Sequence, residues 1–491
     1  MTMKQTIFLL IFLLQLLPDV HGQDVFLFIK NNDIDSVKSL IEIGINLEQE
    51  YNGKTLLMAA IGSDSKKLID LLLDSGADIN RKSGRGYSPL MYALKKNNIE
   101  ISKYLITKGA DINTTDSEGN GCIIYALKSG NKDLIDFFKE NGAEIPNIGN
   151  VTEGPHVRVL SDNLFEVLYF NHNSTTNKTK LNRKILKHND FKIFQSEFIK
   201  CDIKYPAKIN HKAEYLGINK ILAIGDIHGE YDSLVNLMKN NQVIDSNLDW
   251  NFDTGHIVLI GDVFDRGDMV TESLWFIYKL QKQADEAGGK VHFILGNHEL
   301  INLVEEEGST DISDKYNILC YNAGYNYSDL YKSSFILGDW LRKQKTVIKI
   351  NNFLFVHGGI PPEIAEKEVD ISVLNQSMQD FLCSPVQEVN KIDENVRLAG
   401  SCMFYRGYFD AGGDYYKELI EGLPKTLDFF NVDCIVVGHT TVDKITMIKE
   451  NRVIAIDIPF GGENNKEHAL LIEEGKMYRL YINGTKEEFN N

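Results

Sequence analysis

The chain has 491 residues, of which 43% are hydrophobic and 25% charged, and its formal net charge is −17 at pH 7. A chain of this length has room for two or three domains, each with a proper hydrophobic core. Because nucleic-acid binding requires basic patches that contact phosphates, the acidic composition argues against nucleic acid as the main partner.

The amino terminus has the pattern of a secretory signal. Lys4 precedes an apolar stretch over residues 7–17, and Val20-His21-Gly22 provides a small-residue cleavage pattern. The stretch is short for a bilayer-spanning helix but suits the apolar core of a signal peptide. We therefore expect a signal peptide at residues 1–22, a secreted or periplasmic protein and no transmembrane segment. The alternative is an apolar start that packs on the first helix pair.

Residues 23–150 contain an internal repeat. Motifs of the type Gly-Ala-Asp-Ile-Asn begin at Gly44, Gly76, Gly109 and Gly142, at steps of 32 (76−44), 33 (109−76) and 33 (142−109) residues. The segments at residues 55–60, 88–93 and 121–126 resemble the TPLHxA helix start of the ankyrin repeat. The resemblance implies an all-α stack of about four repeats, with each glycine ending a helix in the left-handed conformation.

Ankyrin stacks usually bind proteins, so the resemblance implies a protein partner for this domain. An appended module that only stabilises the chain is the alternative. Nothing in the repeats provides catalytic chemistry.

Residues 151–216 belong to neither repeat nor motif, and we expect a β-rich lead-in. Two apolar runs at residues 157–160 and 165–170 are separated by Ser161-Asp162-Asn163, which predicts a hairpin. Residues 171–182 are rich in Asn, Thr and Lys and predict a flexible loop. We expect the lead-in to add strands to the edge of the sheet that follows.

Residues 217–491 contain five polar motifs, each directly after an apolar run that reads as a buried strand. Side chains that leave successive strand ends converge on one rim of a sheet, where α/β folds place their sites. The motifs are Gly225-Asp226-Ile227-His228-Gly229, Gly261-Asp262-Val263-Phe264-Asp265-Arg266-Gly267, Gly296-Asn297-His298-Glu299, His357-Gly358-Gly359 and Gly438-His439-Thr440.

The residue types in these motifs predict a site for two divalent metal ions. Carboxylates, an amide and imidazoles together bind hard or borderline cations, and manganese, iron, zinc and magnesium all remain open. Two such cations carry more charge than two carboxylates neutralise, so the site keeps positive charge for a phosphate dianion. A water shared by both cations is acidified to hydroxide, which predicts metal-assisted hydrolysis of a phosphate ester.

The motifs resemble, in the same order, the GDxHG, GDxxDRG, GNHE, HGG and GH motifs of the phosphoprotein-phosphatase branch of the calcineurin-like metallophosphoesterases. The likeness covers residues 220–481 and implies an α/β (α+β) β-sandwich flanked by helices at residues 217–491. Residues 455–462 lack the SAPNYC-type loop of the eukaryotic serine/threonine members. Phe404-Tyr405-Arg406-Gly407 and Val263-Phe264 are instead similar to the Shewanella-like phosphatases, which leaves phosphotyrosine, phosphoserine and phosphothreonine open as substrates.

The resemblance implies six metal ligands. Asp262 matches the carboxylate that bridges both ions, and Glu299 matches a hydrogen-bond partner that is not a ligand. The other implied ligands are Asp226 and His228 for the first metal, and Asn297, His357 and His439 for the second.

The resemblance also implies four residues that act on the substrate. His298 matches the histidine that protonates the leaving oxygen, and Asp265 matches the partner that orients its imidazole and raises its pKa. Arg266 and Arg406 match two arginines that bind phosphate by paired hydrogen bonds, with a surface ion pair as the alternative for Arg406. By contrast, we expect His256 and His292 to precede strands and to be ordinary loop or sheet residues.

Six cysteines are compatible with an oxidising compartment. Cys383 and Cys402 flank a helical segment and are the best candidates for a disulfide. None of the six has the spacing of a zinc ligand set.

Together these features predict a metal-dependent phosphomonoester hydrolase that acts on phosphoproteins or small phosphoesters. A nucleotide or dinucleotide phosphohydrolase is the first alternative, and it would require an aromatic clamp near the rim. The second alternative is an ankyrin binding protein with an inert phosphatase body. The presence of all six predicted ligands disfavours that alternative.

Overall fold

The computed structural model describes residues 20–117, 119–187, 212–304, 311–384, 392–409, 422–461 and 466–489. The chain divides into two compact units, with the division between Asn147 and Ile148. The apolar stretch of the expected signal, residues 7–17, lies outside the described residues. Within them, no helix combines the length and the apolar character that crossing a membrane requires.

The described residues of the first unit form four helix pairs, and neighbouring pairs contact each other. A short hairpin of β1 (Glu50–Tyr51) and β2 (Lys54–Thr55) precedes the second pair. The expected N-terminal helical repeats are therefore present. The pairs are α1 (Val20–Lys30) with α2 (Ile34–Ile43), α3 (Leu56–Gly62) with α4 (Lys66–Asp74), α5 (Pro89–Lys95) with α6 (Ile99–Thr107), and α7 (Cys122–Lys128) with α8 (Lys132–Glu140).

Local sequence explains where these helices begin and end. The Ser88 hydroxyl accepts a hydrogen bond of 3.2 Å from the Met91 N–H, which satisfies a free donor in the first turn of α5. The four repeat glycines have φ values of 93°, 98°, 95° and 87°. Only glycine takes this left-handed conformation without strain from a side chain, so it recurs where each helix pair ends.

The lead-in forms a separate antiparallel sheet of β3 (Val151–Ser161), β4 (Leu164–Asn173) and β5 (Lys178–Lys187). The predicted hairpin is confirmed, but the predicted flexible loop at residues 171–182 is wrong because β4 and β5 occupy most of it. The polar composition of this segment instead reflects a largely exposed edge strand, β5, whose Leu181 and Leu186 pair with Phe170 and Phe165 of β4.

The expectation that the lead-in adds strands to the edge of the following sheet is confirmed for β6 (Glu214–Tyr215), which pairs with Lys349 and Ile350 at a sheet edge. It is wrong for β3, β4 and β5, which within the described residues pair with one another and otherwise form a single bridge, between Arg158 and Phe335. The apolar face of this three-stranded sheet packs on helices of the second unit, including α10 (Val270–Ala287), α12 (Asp314–Ala323) and α13 (Ile336–Leu341). The Trp275 indole N–H donates to the Pro155 carbonyl at 2.8 Å across this contact.

The rest of the second unit is a sandwich of two six-stranded sheets. The strands are β6 (Glu214–Tyr215), β7 (Lys220–Ile224), β8 (His256–Leu259), β9 (Lys290–Phe293), β10 (Val347–Ile350), β11 (Phe353–Val356), β12 (Cys434–Val437), β13 (Thr446–Ile448), β14 (Val453–Ala455), β15 (His468–Glu473), β16 (Lys476–Tyr481) and β17 (Lys486–Glu488). Their order is β17-β16-β15-β7-β8-β9 in one sheet and β13-β14-β12-β11-β10-β6 in the other. Parallel neighbours are β7, β8 and β9 in the first sheet, and β11, β12 and β14 together with the pair of β10 and β6 in the second.

Apolar side chains fill both faces of the central strands. Along β7, Ile221 and Ala223 join a cluster shared by the two sheets, whereas Leu222 and Ile224 join the larger cluster under the helices. Burial of both faces explains why the central strands are unbroken apolar runs. The predicted sandwich flanked by helices is confirmed. The remaining helices are α9 (Tyr231–Asn240), α11 (Asn297–Val304), α14 (Pro362–Glu366), α15 (Ile371–Cys383), α16 (Glu394–Phe404) and α17 (Leu423–Phe430), with a 3-10 turn at Tyr327–Tyr331.

The predicted disulfide between Cys383 and Cys402 is wrong. Both thiols are free, Cys402 lies on the buried face of α16, and the Cys383 sulfur lies 3.9 Å from the Arg342 carbonyl. Burial raises the pKa of the Cys402 thiol, so it behaves as a small apolar core residue.

Candidate active site

The six predicted ligands lie together at one rim of the sandwich, in loops that follow parallel strands. Asp226 and His228 follow β7, Asp262 follows β8 and His357 follows β11. The other two are Asn297, which begins α11 after β9, and His439, which follows β12.

The backbone of this rim is held in unusual conformations. His228, Asp262, Asp265, Arg266 and His439 all have φ between 47° and 70°, a region that side chains other than glycine rarely adopt. Such strain persists only where the surrounding structure enforces it, and it concentrates at functional sites.

Two glycines let the loops approach closely. A Cβ atom on Gly296 would lie 2.2 Å from the Asp262 Oδ1 atom, and one on Gly438 would lie 2.4 Å from the Asp226 Oδ1 atom. Any side chain at either position would therefore displace a predicted ligand. This is why the motifs require glycine directly before Asn297 and His439.

Asp262 is the shared centre of the site. Its Oδ1 accepts a hydrogen bond of 3.0 Å from the His298 backbone N–H, while its Oδ2 lies 3.1 Å from His357 Nε2 and 4.0 Å from His228 Nε2. Two sets of potential ligand atoms therefore include Asp262, one with His228 and His298 and the other with His357 and His439. A carboxylate common to two adjacent sets has the position that a bridging ligand requires.

The environment of His357 tests whether a cation fits. Its Nδ1 is 2.8 Å from the Ile260 carbonyl, and its Nε2 faces two oxygens, Asn297 Oδ1 at 3.0 Å and Asp262 Oδ2 at 3.1 Å. Burial opposes charge here, but Asp262 and Asp226 outweigh burial and raise the pKa of His357 to about 10. An imidazole nitrogen, an amide oxygen and a carboxylate oxygen thus converge at this point, and this donor set suits a divalent cation. Together with the second set of ligand atoms around His228, the residues present fit two cations.

His228 and His439 are neutral ligand candidates. Burial lowers the pKa of His228 to about 4, and its Nδ1 donates to the Phe264 carbonyl at 2.8 Å, so the Nε2 lone pair faces Asp262. A backbone carbonyl commonly orients metal-binding histidines in this way. Burial and His357 lower the pKa of His439 to about 3, and its Nε2 accepts from the Arg406 Nε at 3.0 Å.

Asp226 has a neighbour that the motifs do not predict. The Asp226 carboxylate accepts from the His439 backbone N–H, at 3.1 Å from Oδ2, and burial followed by the charge of Asp457 raises its pKa. Asp457 follows β14, which is paired in parallel with β12, so it leaves the sheet beside His439. It is 6% exposed, and its Oδ2 accepts from the Thr441 hydroxyl at 2.9 Å. The sequence could have indicated Asp457, because it directly follows an apolar run at residues 453–456.

His298 and Asp265 form a buried hydrogen-bonded pair. The His298 Nδ1 lies 2.6 Å from Asp265 Oδ2, and its Nε2 lies 3.9 Å from Asp262 Oδ2. Burial lowers the pKa of His298, but the Asp265 hydrogen bond and the Asp262 charge outweigh burial, so the net shift is upward. Sequence reasoning missed Asn302, whose side-chain N–H group donates to both Asp265 oxygens at 3.1 and 3.2 Å. The sequence could have indicated Asn302, because it lies one helical turn after His298 and so on the same face of α11.

Glu299 is a buried anchor. Its carboxylate accepts hydrogen bonds from the backbone N–H groups of Asp262 (2.8 Å), Val263 (2.8 Å), Phe264 (3.2 Å) and Gly296 (2.8 Å). It thereby joins the loops after β8 and β9 and has its oxygens occupied by amides. This geometry agrees with the expectation that Glu299 is not a ligand.

The two predicted phosphate-binding arginines are exposed at the rim. The backbone N–H of Arg266 donates to the Asp311 carbonyl at 2.9 Å, which fixes the backbone of Arg266. The Arg406 Nε–H donates to His439 Nε2.

His256 and His292 lie away from this group. They lie within β8 and β9, and His292 Nε2 is 3.0 Å from His256 Nδ1. The expectation that they precede strands is therefore wrong, whereas the expectation that they are ordinary sheet residues is right.

Comparisons with known proteins agree with this architecture. The model of the calcineurin-like phosphoesterase family matches residues 219–443, and that of ankyrin repeats matches residues 12–83 and 81–148. The chain is 30% identical over 224 residues to Shewanella-like protein phosphatase 1 of Plasmodium berghei, a match that covers 45% of this chain and 61% of the relative. It is 27% identical over 225 residues to the symmetrical bis(5'-nucleosyl)-tetraphosphatase of Chromobacterium violaceum, covering 42% and 73%.

A solved structure is similar to about two thirds of the chain. The crystal structure of the cold-active protein-tyrosine phosphatase of a psychrophilic Shewanella species matches with a TM-score of 0.59 and 31% identity, and covers 69% of this chain and 100% of that one. The order of the motifs, the two-sheet sandwich and these similarities agree. The chain belongs to the calcineurin-like phosphoesterase family, in its Shewanella-like phosphatase branch, and carries ankyrin repeats before the phosphoesterase domain.

Proposed function

We propose that the chain is a metal-dependent phosphomonoester hydrolase that acts on phosphoproteins. The observation that carries the proposal is the position of Asp262, whose carboxylate belongs to two adjacent sets of ligand atoms. Asp226, His228 and Asp262 would hold one cation, and Asp262, Asn297, His357 and His439 the other. When bound, the cations would acidify a water and offset phosphate charge.

The remaining residues divide the other tasks. The exposed guanidinium groups of Arg266 and Arg406 would bind the non-bridging phosphate oxygens through paired hydrogen bonds. Water oxygen bonds to phosphorus as the bond from phosphorus to the ester oxygen breaks. His298 gives its proton to that departing oxygen, so the products are phosphate and a neutral alcohol or phenol. Asp265 keeps the imidazole oriented and protonated before the step.

Hydrolysis of dinucleotide phosphates is the second candidate. It is supported by the similarity to the symmetrical bis(5'-nucleosyl)-tetraphosphatase of Chromobacterium violaceum. We favour phosphoproteins because the Plasmodium relative and the Shewanella neighbour are both named as protein phosphatases.

The test is turnover of a phosphotyrosine peptide, a phosphothreonine peptide and diadenosine tetraphosphate by the purified chain, with manganese, iron, zinc or magnesium added in turn. The proposal expects release of phosphate from at least one peptide only when metal is present. Asp262→Asn serves as the inactive control. Turnover of diadenosine tetraphosphate alone would establish the second candidate, and no turnover with any metal would overturn both.

We propose further that the ankyrin unit binds an acidic or phosphorylated segment of a protein. A groove of about 690 Å³ in this unit is lined by three lysines, which have no ion pair within the described residues, and by one carboxylate. Lys54 also lies over the Tyr92 ring at 5.4 Å. In a chain with a net charge of −17, this local excess of positive charge suits an anionic partner. The lining includes Asp24, Leu27, Lys30, Tyr51, Lys54, Tyr92 and Lys96.

Charge reversal in the groove tests this second proposal. Lys54→Glu and Lys96→Glu should raise KM for a phosphorylated protein substrate several-fold and leave KM for a small aryl phosphate unchanged. Lys67→Glu is the matched control, because Lys67 is exposed and lies outside the groove. An equal effect of all three variants would remove the argument for the groove.

We also propose that the chain is exported, from the apolar stretch at residues 7–17. Cleavage after Gly22 would leave Val25 and Ile29, two buried residues of α1, in the mature protein. Amino-terminal sequencing from the native host should find a start near Gln23. An intact Met1 in the cytosol would refute export.

A further inference from the structure

Asp457 leaves its sheet at the rim where the predicted ligands lie. It follows the last residue of β14 by two positions, and the Ile456 N–H donates to the Val437 carbonyl at 2.9 Å, which continues the parallel pairing of β14 with β12. A Cβ atom on Gly225 would lie 2.3 Å from the Ile456 carbonyl oxygen and 3.1 Å from the Asp457 Cα. The backbone of Asp457 therefore packs against the residue that directly precedes Asp226, and a side chain on Gly225 would prevent this approach.

The Asp457 carboxylate is buried with few contacts to compensate its charge. The residue is 6% exposed. Its Oδ2 accepts a hydrogen bond of 2.9 Å from the Thr441 hydroxyl, whereas its Oδ1 has no hydrogen bond within the described residues. By comparison, the buried Glu299 carboxylate accepts hydrogen bonds from four backbone N–H groups. A buried carboxylate with a single hydrogen bond is costly unless positive charge lies nearby.

The implied ligands offset only part of the charge of two divalent cations. Asp226 and Asp262 are the two carboxylates among them, and together they offset half of that charge. Asp457 adds a third carboxylate in the same buried region, since burial and then the charge of Asp457 raise the pKa of Asp226. Like charges in one buried region repel each other unless a cation lies near them. A bound cation therefore explains why this third carboxylate is buried at the rim.

We infer that Asp457 is a positioning residue of the metal centre, which adds negative charge beside Asp226 and strengthens binding of the cation that Asp226 binds. The inference rests on the proposed metal-dependent function. Thr441 fixes one oxygen of the carboxylate, and the contact with Gly225 fixes its backbone. Asp457 thus acts on the cation through its charge and is not one of the six ligands.

Metal affinity tests this role without reference to turnover. Asp457→Asn keeps the size of the side chain and an acceptor for Thr441 but removes the charge. In a competition with a chelator, it should weaken manganese binding about ten- to a hundredfold, while two manganese ions still bind at saturation. Asp457→Glu keeps the charge and should lose less affinity than Asp457→Asn. Asp428→Asn is the control, because it removes an exposed charge on α17.

Thermal melts separate this role from a purely structural one. In excess chelator, Asp457→Asn removes one of the buried carboxylates that repel each other, so its unfolding midpoint should equal or exceed that of the wild type. In manganese, the midpoint should rise less than in the wild type, because weaker binding gives less stabilisation. A purely structural role would instead lower the midpoint equally with and without manganese.

The outcomes distinguish this inference from the proposed function. If the wild-type chain binds neither manganese nor iron, zinc or magnesium, the metal-dependent function itself fails. If the wild type binds two manganese ions and Asp457→Asn binds them with the same affinity, the inference is overturned while the proposed function stands. An equal loss in Asp428→Asn or in Asp457→Glu, or an equal fall of the midpoint in chelator and in manganese, would also overturn it. Binding of only one ion by Asp457→Asn at saturation would make Asp457 a ligand and refute the positioning role.

Discussion

His298→Ala gives the sharpest test of how the site divides its chemistry. His298 lies in one of the two sets of potential ligand atoms, yet its Nδ1 is bound to Asp265 at 2.6 Å and its pKa is raised. A proton donor and a metal ligand make opposite predictions. If His298 is the donor, the variant should keep two metals and lose about 10²–10⁴-fold on a phosphoserine or phosphothreonine peptide, whose alkoxide leaves poorly.

The same variant should lose far less on nitrophenyl phosphate, because nitrophenolate needs little protonation. Metal content by mass spectrometry and kcat across a series of leaving groups are the two measurements. Asp265→Asn is the companion variant. Since the carboxylate partner raises the pKa of His298, its removal should move the alkaline fall in kcat to lower pH. Loss of one metal in His298→Ala, or equal penalties for all leaving groups, would refute the assignment of His298 as the donor.

Other predictions follow from single contacts. Asp262→Ala should lower metal stoichiometry and activity together, measured by mass spectrometry and turnover. Arg266→Ala should raise KM for every phosphoester while metal content stays constant. Glu299→Gln should lower the thermal midpoint by several degrees, because an amide replaces a charged acceptor of four backbone N–H groups. Burial raises the pKa of Glu272 to about 8, above its ordinary 4.5. The fold therefore loses stability as pH rises from 4.5 to 8. In thermal melts, Glu272→Gln should have a higher unfolding midpoint than the wild type at pH 9 but not at pH 4.

The sequence could predict the sandwich and the composition of its rim because strand and motif are adjacent in the chain. Each apolar run has both faces buried, and each motif residue follows its run within a few positions, so local pattern was enough to place Asp262 and His357 in one site. The lead-in was less predictable. The Lys- and Asn-rich β5 is a strand because Phe165 and Phe170 of β4 pair with its two leucines, and that pairing is not visible in its own composition.

Asp457 is a residue of the site that the sequence motifs could not identify. Its apolar run resembles those before the other site residues, but no family motif marks it, and its importance depends on β14 lying parallel to β12. Strand order is a long-range property that places the loop after residue 455 beside the loop after residue 437. Glu299 illustrates the complementary case, since its motif was recognised but its function as an acceptor for amides from two loops required the fold. Sequence thus predicts which side chains a strand end provides, whereas the order of the strands determines which of them act together.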